Sequence, residues 1–380
     1  MNLYKQCTHC IIDTNDDPNV TFDSQGVCSY CQNYQRQKFQ FVKVGADGES
    51  ELKTLIERVK KSGKNKKYDC IIGLSGGVDS SYLALKVSQW GLRALAVHFD
   101  NGWNSELAVK NIEQIISKLK IDLYTLVIDW EEFRDLQLAF IRASVVDIEM
   151  ITDHAIVATL YKLAIEHDVK FILSGSNYVT EAILPNNWIH HKADYVHIKA
   201  LQRHYNKKPL VTYPLLDLKL RMRAEFHGIQ STSPLNLIPY VKAEAKKELQ
   251  ELLGWRDYGG KHYESVFTRF YQGYILPQKF KIDKRKAHLS NLICSGQITR
   301  AEALAELEKP IYEENLLRTD YDFVLKKLEL SPAQFEEILN TPPQKHTAYP
   351  VEREIYDRVP ALKIVKPFWQ YFKKSIKRKW

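Results

Sequence analysis

The string SGGVDSS at residues 75–81 contains the residue types that bind phosphate groups in proteins. It follows CIIGL, a short apolar run that is typical of a strand buried in a parallel sheet. The glycines let backbone amides approach an anion closely, and the helix predicted to begin near Asp79 adds free N–H groups at its positive end. The predicted phosphate ligands are therefore Ser75, Gly76, Gly77, Asp79 and Ser80.

No lysine follows the two glycines, which distinguishes this loop from the GxxxxGK[ST] loop of kinase-type enzymes. An aspartate in an anion-binding loop is understandable if a magnesium ion joins its carboxylate to the phosphates. The alternative is a serine–glycine turn in which Asp79 only caps the next helix. We favour the phosphate site, with Asp79 as a Mg²⁺ ligand.

Four cysteines form two C-x2-C pairs that are separated by 17 residues: Cys7, Cys10, Cys28 and Cys31. This spacing fits a four-thiolate Zn²⁺ site, and we expect a structural site because four thiolates complete the coordination of the metal. Iron–sulfur ligation is the alternative. Cys70 and Cys294 have no visible partner in the sequence, and we expect both to be buried and inert.

From about residue 50 the pattern alternates between helix and strand, which predicts a doubly wound parallel α/β sheet. Ligands of such sheets bind at the carboxyl ends of the strands, where SGGVDSS and two further polar strings, DNGWNS and SGSNYVTE, are expected. The acidic stretch VVDIEMITDH either contributes to this site or begins a helix. After about residue 240 the chain is predicted to be mostly helical.

The predicted organisation has four segments. Residues 1–45 form a zinc-ribbon-like segment, residues 50–240 the nucleotide-binding α/β domain, residues 241–345 a helical region that binds substrate or phosphate, and residues 346–380 a basic tail. In the tail, residues 363–380 hold seven Lys or Arg and no acidic residue, so the remaining 47 basic residues nearly balance 46 acidic ones. We expect a solvated tail or weak contact with an anionic membrane or an acidic partner, and no DNA partner.

The 380 residues contain no apolar run long enough to span a bilayer, and the start, MNLYKQCTHC, lacks the features of a secretory signal. A cytoplasmic location is expected.

The string SGGVDS between a strand and a helix resembles the pyrophosphate loop (PP-loop) of the ATP pyrophosphatase superfamily. Members cleave ATP between the α- and β-phosphates and adenylylate a substrate oxygen, after which a nitrogen or sulfur nucleophile displaces AMP. The resemblance implies that Asp100 contacts the nucleotide or the metal. SGSNYVTE resembles the Gly-x-Asn…Glu segment of ammonia-using members, which implies that Gly175, Asn177 and Glu181 bind the nucleotide, with Glu181 as a second Mg²⁺ ligand.

Four long strings resemble, in order, the N-acetyl sugar amidotransferases of bacterial surface-polysaccharide and flagellin-sugar pathways. They are CTHCIIDTNDDPNVTFDSQGVCSYC, the PP-loop, YGGKHYESVFTRFYQGYILPQKFKIDKRKAHLSNLICSGQITRAEALAEL and DFVLKKLELSPAQFEEILNTPP. The resemblance runs from about residue 5 to about residue 350 and excludes the basic tail.

This resemblance implies that ATP activates the N-acetyl oxygen of a nucleotide-linked sugar in LPS, O-antigen or flagellin glycan biosynthesis. Ammonia from a separate glutaminase subunit would then displace AMP and give an acetamidino sugar. Asp79 and Ser80 would act in catalysis. Lys261 and Arg285 would stabilise the charge on the departing pyrophosphate, unless they belong to a solvated basic helix face. His262, Arg269, Lys284 and Lys286 are further candidates for binding phosphates of pyrophosphate or of the sugar nucleotide, with the same alternative.

Two other functions remain open at this stage. A tRNA thiolase also combines a PP-loop with cysteine pairs, and a basic tail would suit RNA, although such enzymes commonly need redox cysteines or a cluster near the active site. A zinc module that binds nucleotide without catalysis is the third possibility, against which the intact loop with Asp79 argues.

Overall fold

The computed structural model describes residues 4–206, 208–260 and 263–354. Within these ranges five parallel strands form one sheet of order β3-β2-β1-β4-β5. The strands are β1 (Cys70–Gly73), β2 (Ala94–Asp100), β3 (Asp122–Val127), β4 (Phe171–Leu173) and β5 (Gln230–Thr232). The predicted doubly wound α/β sheet is confirmed. Lys261, His262 and the chain from residue 355 onward, which includes most of the predicted basic tail, lie outside the described residues.

The central strand β1 is buried on both faces because its successive side chains point to opposite helix layers. Cys70 and Ile72 pack with residues of α3 (Val78–Gln89), α4 (Glu106–Leu119) and α10 (Lys242–Leu253). Ile71 packs on the other face with residues of α6 (Met150–Glu166) and α9 (Leu218–Phe226). The wholly apolar run in the sequence therefore reflects a three-layer structure.

The chain after β5 is mostly helical, as predicted. Its helices are α10, α11 (Val266–Phe270), a π-helix (Tyr271–Phe280), α12 (Arg285–Ser295), α13 (Arg300–Glu308), α14 (Glu314–Leu328) and α15 (Pro332–Asn340). Phe270 and Phe335 share a core with Phe133 of α5 (Trp130–Arg142) and Leu201 of α8 (Tyr195–Tyr205). Helix α10 instead packs on α3. None of the helices in the described ranges is long and apolar enough to cross a membrane.

The cysteine-rich N-terminal segment packs against the helical region. It leads into α1 (Ser29–Phe41), which is followed by α2 (Ala46–Ser62). Helix α1 contacts α12 and the short helix α7 (Tyr178–Glu181), and α7 contacts α12 in turn. The predicted four-cysteine cluster is confirmed, and it lies beside the segment that follows β4.

Candidate functional site

The loop between β1 and α3 is fixed by two aromatic side chains from the segment that follows α10. Trp255 Nε1 donates a hydrogen bond of 2.8 Å to the carbonyl of Gly76, and the Tyr258 hydroxyl donates to the same oxygen. Gly76 has a φ of +82°, and a Cβ there would lie 3.0 Å from the Tyr258 hydroxyl. Position 76 therefore requires glycine.

The first turn of α3 carries no side-chain cap. Gly77 is its N-cap residue, and Asp79 lies inside the first turn. The Ser75 and Ser80 hydroxyls lie 3.1 Å apart, and Ser80 donates to the carbonyl of Gly77. The side chain of Asp79 therefore does not cap this helix, and N–H groups of the first turn remain available to an anion.

The carboxylate of Asp79 is held through one of its two oxygens. Oδ1 accepts a hydrogen bond from the Tyr240 hydroxyl and one of 3.3 Å from Asn177 Nδ2. Burial raises the pKa of Tyr240 well above its usual value, and the charges of Asp79 and Glu181 add to this. The phenol therefore stays protonated as a donor. Oδ2 of Asp79 accepts no hydrogen bond from the described residues, so it is available to a ligand.

Asn177 joins the two predicted metal ligands. Besides its hydrogen bond to Asp79, its backbone N–H donates to Glu181 Oε2 at 3.4 Å. Gly175 lies against the start of α3, since a Cβ there would come within 2.9 Å of the carbonyl of Asp79. The string SGSNYVTE is thus placed beside the loop, where Asn177 positions Asp79.

A cavity of about 470 Å³ opens at the carboxyl end of the sheet, within the usual range for small-molecule sites. The predicted ligands that line it are Ser75, Gly77, Asp79, Ser80, Gly175 and Glu181. The predicted site residues Gly76, Asp100, Asn177 and Arg285 are not among its lining residues. The structure therefore brings most of the loop and the segment after β4 together around one space.

Asp100 orients the loop that follows β2. Its Oδ1 accepts hydrogen bonds from the backbone of Gly102 at 2.9 Å and from Asn104 Nδ2 at 3.0 Å. Its neighbours Asn101 and Asn104 line the cavity instead. The string DNGWNS contains both amides, but the prediction from the sequence named only its aspartate as a site residue.

The basic residues are distributed differently from the prediction. Arg285 forms an ion pair of 2.8 Å with Asp283 and donates to the carbonyl of Lys309 at 2.8 Å, so it attaches α12 to the end of α13. Lys242 and Lys246 line the cavity near the loop. These two lysines were missed, although their spacing of four residues in VKAEAKKELQ places both on one face of α10.

A second charged group lies in the cavity around the start of α6. Glu149 Oε2 accepts a hydrogen bond of 2.5 Å from the Thr268 hydroxyl. Lys192 forms ion pairs of 2.8 Å with Asp147 and 2.9 Å with Asp153. Burial raises the pKa of Glu149 to about 7, and the charge of Asp153 also raises it. The acidic stretch VVDIEMITDH therefore both begins a helix and contributes to the cavity.

Lys284 adds a positive group to this part of the cavity. It lines the same space, and its side-chain ammonium group forms no hydrogen bond or ion pair with another residue in the described ranges. Burial lowers its pKa, and the charge of Lys192 lowers it further. Of the three basic candidates Lys284, Arg285 and Lys286, Lys284 is thus the one that lines the cavity.

The four cysteines of the N-terminal segment form a compact thiol cluster. Their sulfur atoms all lie within 4.8 Å of one another, with Sγ–Sγ distances of 3.9 Å for Cys7–Cys31 and 3.6 Å for Cys10–Cys28. A tetrahedral zinc ion with Zn–S bonds of about 2.3 Å separates its sulfur ligands by about 3.8 Å. Backbone N–H groups also donate to Cys7 Sγ, as expected for a thiolate. The cluster therefore fits a single zinc ion.

Cys294 is not isolated, which corrects the expectation from the sequence. Its Sγ lies 3.5 Å from Cys31 Sγ and 3.8 Å from Nδ1 of His9. Cys70 is buried in the core beneath α3, as expected. Position 294 is 263 residues away from Cys31 in the sequence, so no local spacing pattern could have indicated the contact.

The strand order and the glycine-rich, lysine-free loop after the central strand define an α/β protein with a doubly wound parallel sheet. Residues 264–363 match the family described as the C-terminal domain of WbpG-like LPS biosynthesis proteins. This match confirms the predicted resemblance to surface-polysaccharide proteins for that part of the chain.

Two solved structures are similar to the chain over 75% of its length. One is the NMN synthetase from Francisella tularensis, with a TM-score of 0.35, 15% identity and 97% of that chain covered. The other is the NH3-dependent NAD synthetase from Campylobacter jejuni subsp. jejuni NCTC 11168 in complex with the nitrate ion, with a TM-score of 0.31, 14% identity and 97% covered. No curated protein matches the sequence.

Proposed function

We propose that the protein is an ATP-dependent, AMP-forming amidotransferase of LPS biosynthesis. It activates the N-acetyl oxygen of a nucleotide-linked sugar and replaces that oxygen with ammonia. The observation that carries this proposal is the Asp79 carboxylate, positioned by Tyr240 and Asn177 beside a phosphate loop without a lysine. The match of residues 264–363 to a domain of LPS biosynthesis proteins supports the pathway.

The loop and its surroundings suit a pyrophosphate leaving group. The uncapped first turn of α3 and the Ser75 and Ser80 hydroxyls offer hydrogen-bond donors to phosphate oxygens. Lys242 and Lys246 add positive charge, although Lys246 forms an ion pair of 2.5 Å with Asp257. The open oxygen of Asp79 and the nearby Glu181 are hard oxygen ligands of the kind that Mg²⁺ prefers. When bound there, Mg²⁺ would neutralise charge on the phosphates. The zinc ion would be structural.

Ammonia is a better candidate than sulfur for the nucleophile. No cysteine is among the described residues that line the cavity. Cys70 is fully buried in β1, where burial raises the pKa of its thiol, and Cys294 belongs to the cysteine cluster. A PP-loop thiolase with a redox cysteine beside the nucleotide is therefore disfavoured. We propose that a separate glutaminase subunit supplies the ammonia.

The proposal is tested by incubating the protein with ATP, Mg²⁺, ammonium chloride and a panel of N-acetyl sugar nucleotides. AMP release that depends on one of the sugars, together with an acetamidino product in mass spectrometry, is the expected result. AMP release that depends only on added tRNA would favour the thiolase and contradict the proposal. ATP binding without AMP release under any of these conditions would indicate a nucleotide-binding module.

A further inference from the structure

The cavity continues past the phosphate loop along one side of α6. Glu149, Asp153, Ile156 and Leu160 line it at the spacing of one helix face. Leu160 lies 3.9 Å from the position that a Cβ would take at Gly73, at the end of β1. With a rise of 1.5 Å per residue, Glu149 and Leu160 are about 16 Å apart along the helix. The cavity therefore has one end at β1 and another at Glu149.

The segment before and within α11 connects the Glu149 end with the phosphate loop. Glu264 Oε1 lies 3.2 Å from the position of a Cβ at Gly77. Four residues further along the chain, the hydroxyl of Thr268 donates to Glu149. This segment, in which Glu264, Ser265 and Thr268 line the cavity, therefore forms one wall of the cavity between the loop and Glu149.

The direction in which the acceptor oxygen attacks ATP suggests which end of the cavity binds the phosphates and which binds the acceptor. If the loop holds the β- and γ-phosphates, the acceptor oxygen must approach the α-phosphorus from the side opposite to the leaving pyrophosphate, as in any in-line displacement. The cavity continues from the loop to Glu149, Asp153, Lys192 and Lys284, which all line it, and this is the space that we assign to the acceptor and the attacking nitrogen.

Glu149 is the carboxylate of this group that remains unpaired with a lysine. Lys192 is engaged by Asp147 and Asp153. Among the described residues, only Thr268 donates a hydrogen bond to the Glu149 carboxylate, and this contact with one oxygen orients the group. Its environment brings its pKa near neutrality, where a carboxylate can both accept and release a proton.

We propose that the Glu149 end of the cavity binds the N-acetyl group of the sugar, and that the Glu149 carboxylate takes the proton released by the attacking ammonia. This inference rests on the proposed amidotransferase function and adds a general base to it.

The proton balance requires such an acceptor. The amide oxygen bonds to the α-phosphorus while the bond from that phosphorus to pyrophosphate breaks. Ammonia then bonds to the activated carbon, and the carbon–oxygen bond breaks as AMP leaves with the oxygen. The amidinium product keeps the amide N–H and two of the three hydrogens of ammonia. One proton is therefore left over in each turnover, and it passes to Glu149.

The test separates the two halves of the reaction in Glu149→Gln, which preserves the shape of the side chain and an acceptor for Thr268. Acceptor-dependent exchange of labelled pyrophosphate into ATP, measured without ammonia, reports adenylylation. Amidine formation with ammonium chloride reports the second half, and hydroxylamine serves as a nucleophile that needs less help from a base. Glu166→Gln, an exposed carboxylate at the other end of α6, is the matched control.

We expect Glu149→Gln to keep pyrophosphate exchange and to lose amidine formation with ammonia by about 100-fold or more, with a smaller loss for hydroxylamine. Equal losses in both halves, or unchanged amidination, would overturn the assignment of Glu149. Loss of amidination in Lys284→Met but not in Glu149→Gln would move the base to Lys284 and overturn it as well. If the unaltered protein shows no acceptor-dependent exchange, the proposed function itself fails.

Discussion

The hydroxyl of Tyr240 donates a hydrogen bond to the carboxylate of Asp79, although 161 positions separate the two residues in the sequence. The contact is made to one carboxylate oxygen, and the second oxygen of Asp79, a residue that lines the cavity, accepts no hydrogen bond from the described residues. A phenol from the segment before α10 thereby sets the direction of the candidate metal ligand.

Replacement of Tyr240 by Phe should lower turnover by about 10–100-fold, because a hydrogen bond to a charged group contributes about 1.5–3 kcal/mol. The fold should be retained, since only the hydroxyl is lost. Turnover is measured as acceptor-dependent AMP release, and circular dichroism checks the fold. Tyr82→Phe is the control, because Tyr82 packs beside Tyr240 at a ring-centroid distance of 5.6 Å. Equal effects of the two variants would contradict the role of Tyr240.

Replacement of Asp79 by Ala should reduce pyrophosphate release by at least about 100-fold while the protein stays folded. The variant removes the carboxylate that we assign to Mg²⁺, and it leaves the backbone donors of the loop in place. Pyrophosphate release over a range of Mg²⁺ concentrations is the measurement. Retained turnover at ordinary Mg²⁺ concentration would refute the role of Asp79 in metal binding.

Purified protein should contain about one zinc per chain, measured by elemental analysis. Cys10→Ser should lose the metal and lower the melting temperature, because the thiolate set becomes incomplete. Cys294→Ser should keep the metal, since Cys294 lies outside the set of four although its sulfur is 3.5 Å from Cys31. Iron with visible absorbance would indicate the iron–sulfur alternative instead.

His154 should make the stability of the protein depend on pH. It is fully buried and accepts a hydrogen bond of 2.8 Å from the backbone of Leu216, and burial lowers its pKa to about 3. The unfolded chain binds this proton near the ordinary pKa of about 6.5, so His154 favours unfolding increasingly as the pH falls from about 6.5 toward 3.

The measurement is the melting temperature between pH 7 and pH 4, compared with that of His154→Gln. The variant should be less stable at neutral pH, and its melting temperature should fall less on acidification. Glu149 has the opposite effect on stability below pH 7, because its raised pKa lets the folded state bind a proton more readily than the unfolded chain. The comparison between the two proteins isolates the contribution of His154. Parallel pH profiles would contradict the role of His154.

Local patterns were sufficient to predict the sheet and the positions of the loops on it. Apolar strands alternate with amphipathic helices along the chain, and parallel strands bring the polar strings that follow them to one edge. The cysteine cluster was predictable for the same reason, since a short segment contains all four thiols. These features depend on residues that are near one another in the sequence.

The remaining parts of the site depend on contacts between distant segments. Tyr240 reaches Asp79 from after β5, and Thr268 reaches Glu149 from α11. Lys284 and Arg285 illustrate the limit. Both are candidates in the basic string IDKRKAH, and only the packing of α12 determines which of the two faces the cavity.

Helix α12 contacts three parts of the molecule along its length: the cavity, the N-terminal segment and the residues just after α7. Lys284 lines the cavity at its beginning, and Lys286 forms ion pairs of 2.5 Å with two aspartates of the N-terminal segment. Asn291 exchanges hydrogen bonds of 2.7 Å and 2.9 Å with the backbone of Ile183, just after α7. Cys294, near the end of the helix, lies beside the cysteine cluster. It is about 15 Å from Lys284 along the helix axis.

The rotation of α12 about its own axis is therefore fixed by four contacts along its length. A single inserted or deleted residue in its middle would rotate one half relative to the other by about 100°, and either the cavity or the cysteine cluster would lose its contact. Changes of length are thus tolerated only beyond its ends, and natural variation in this stretch should proceed by substitution.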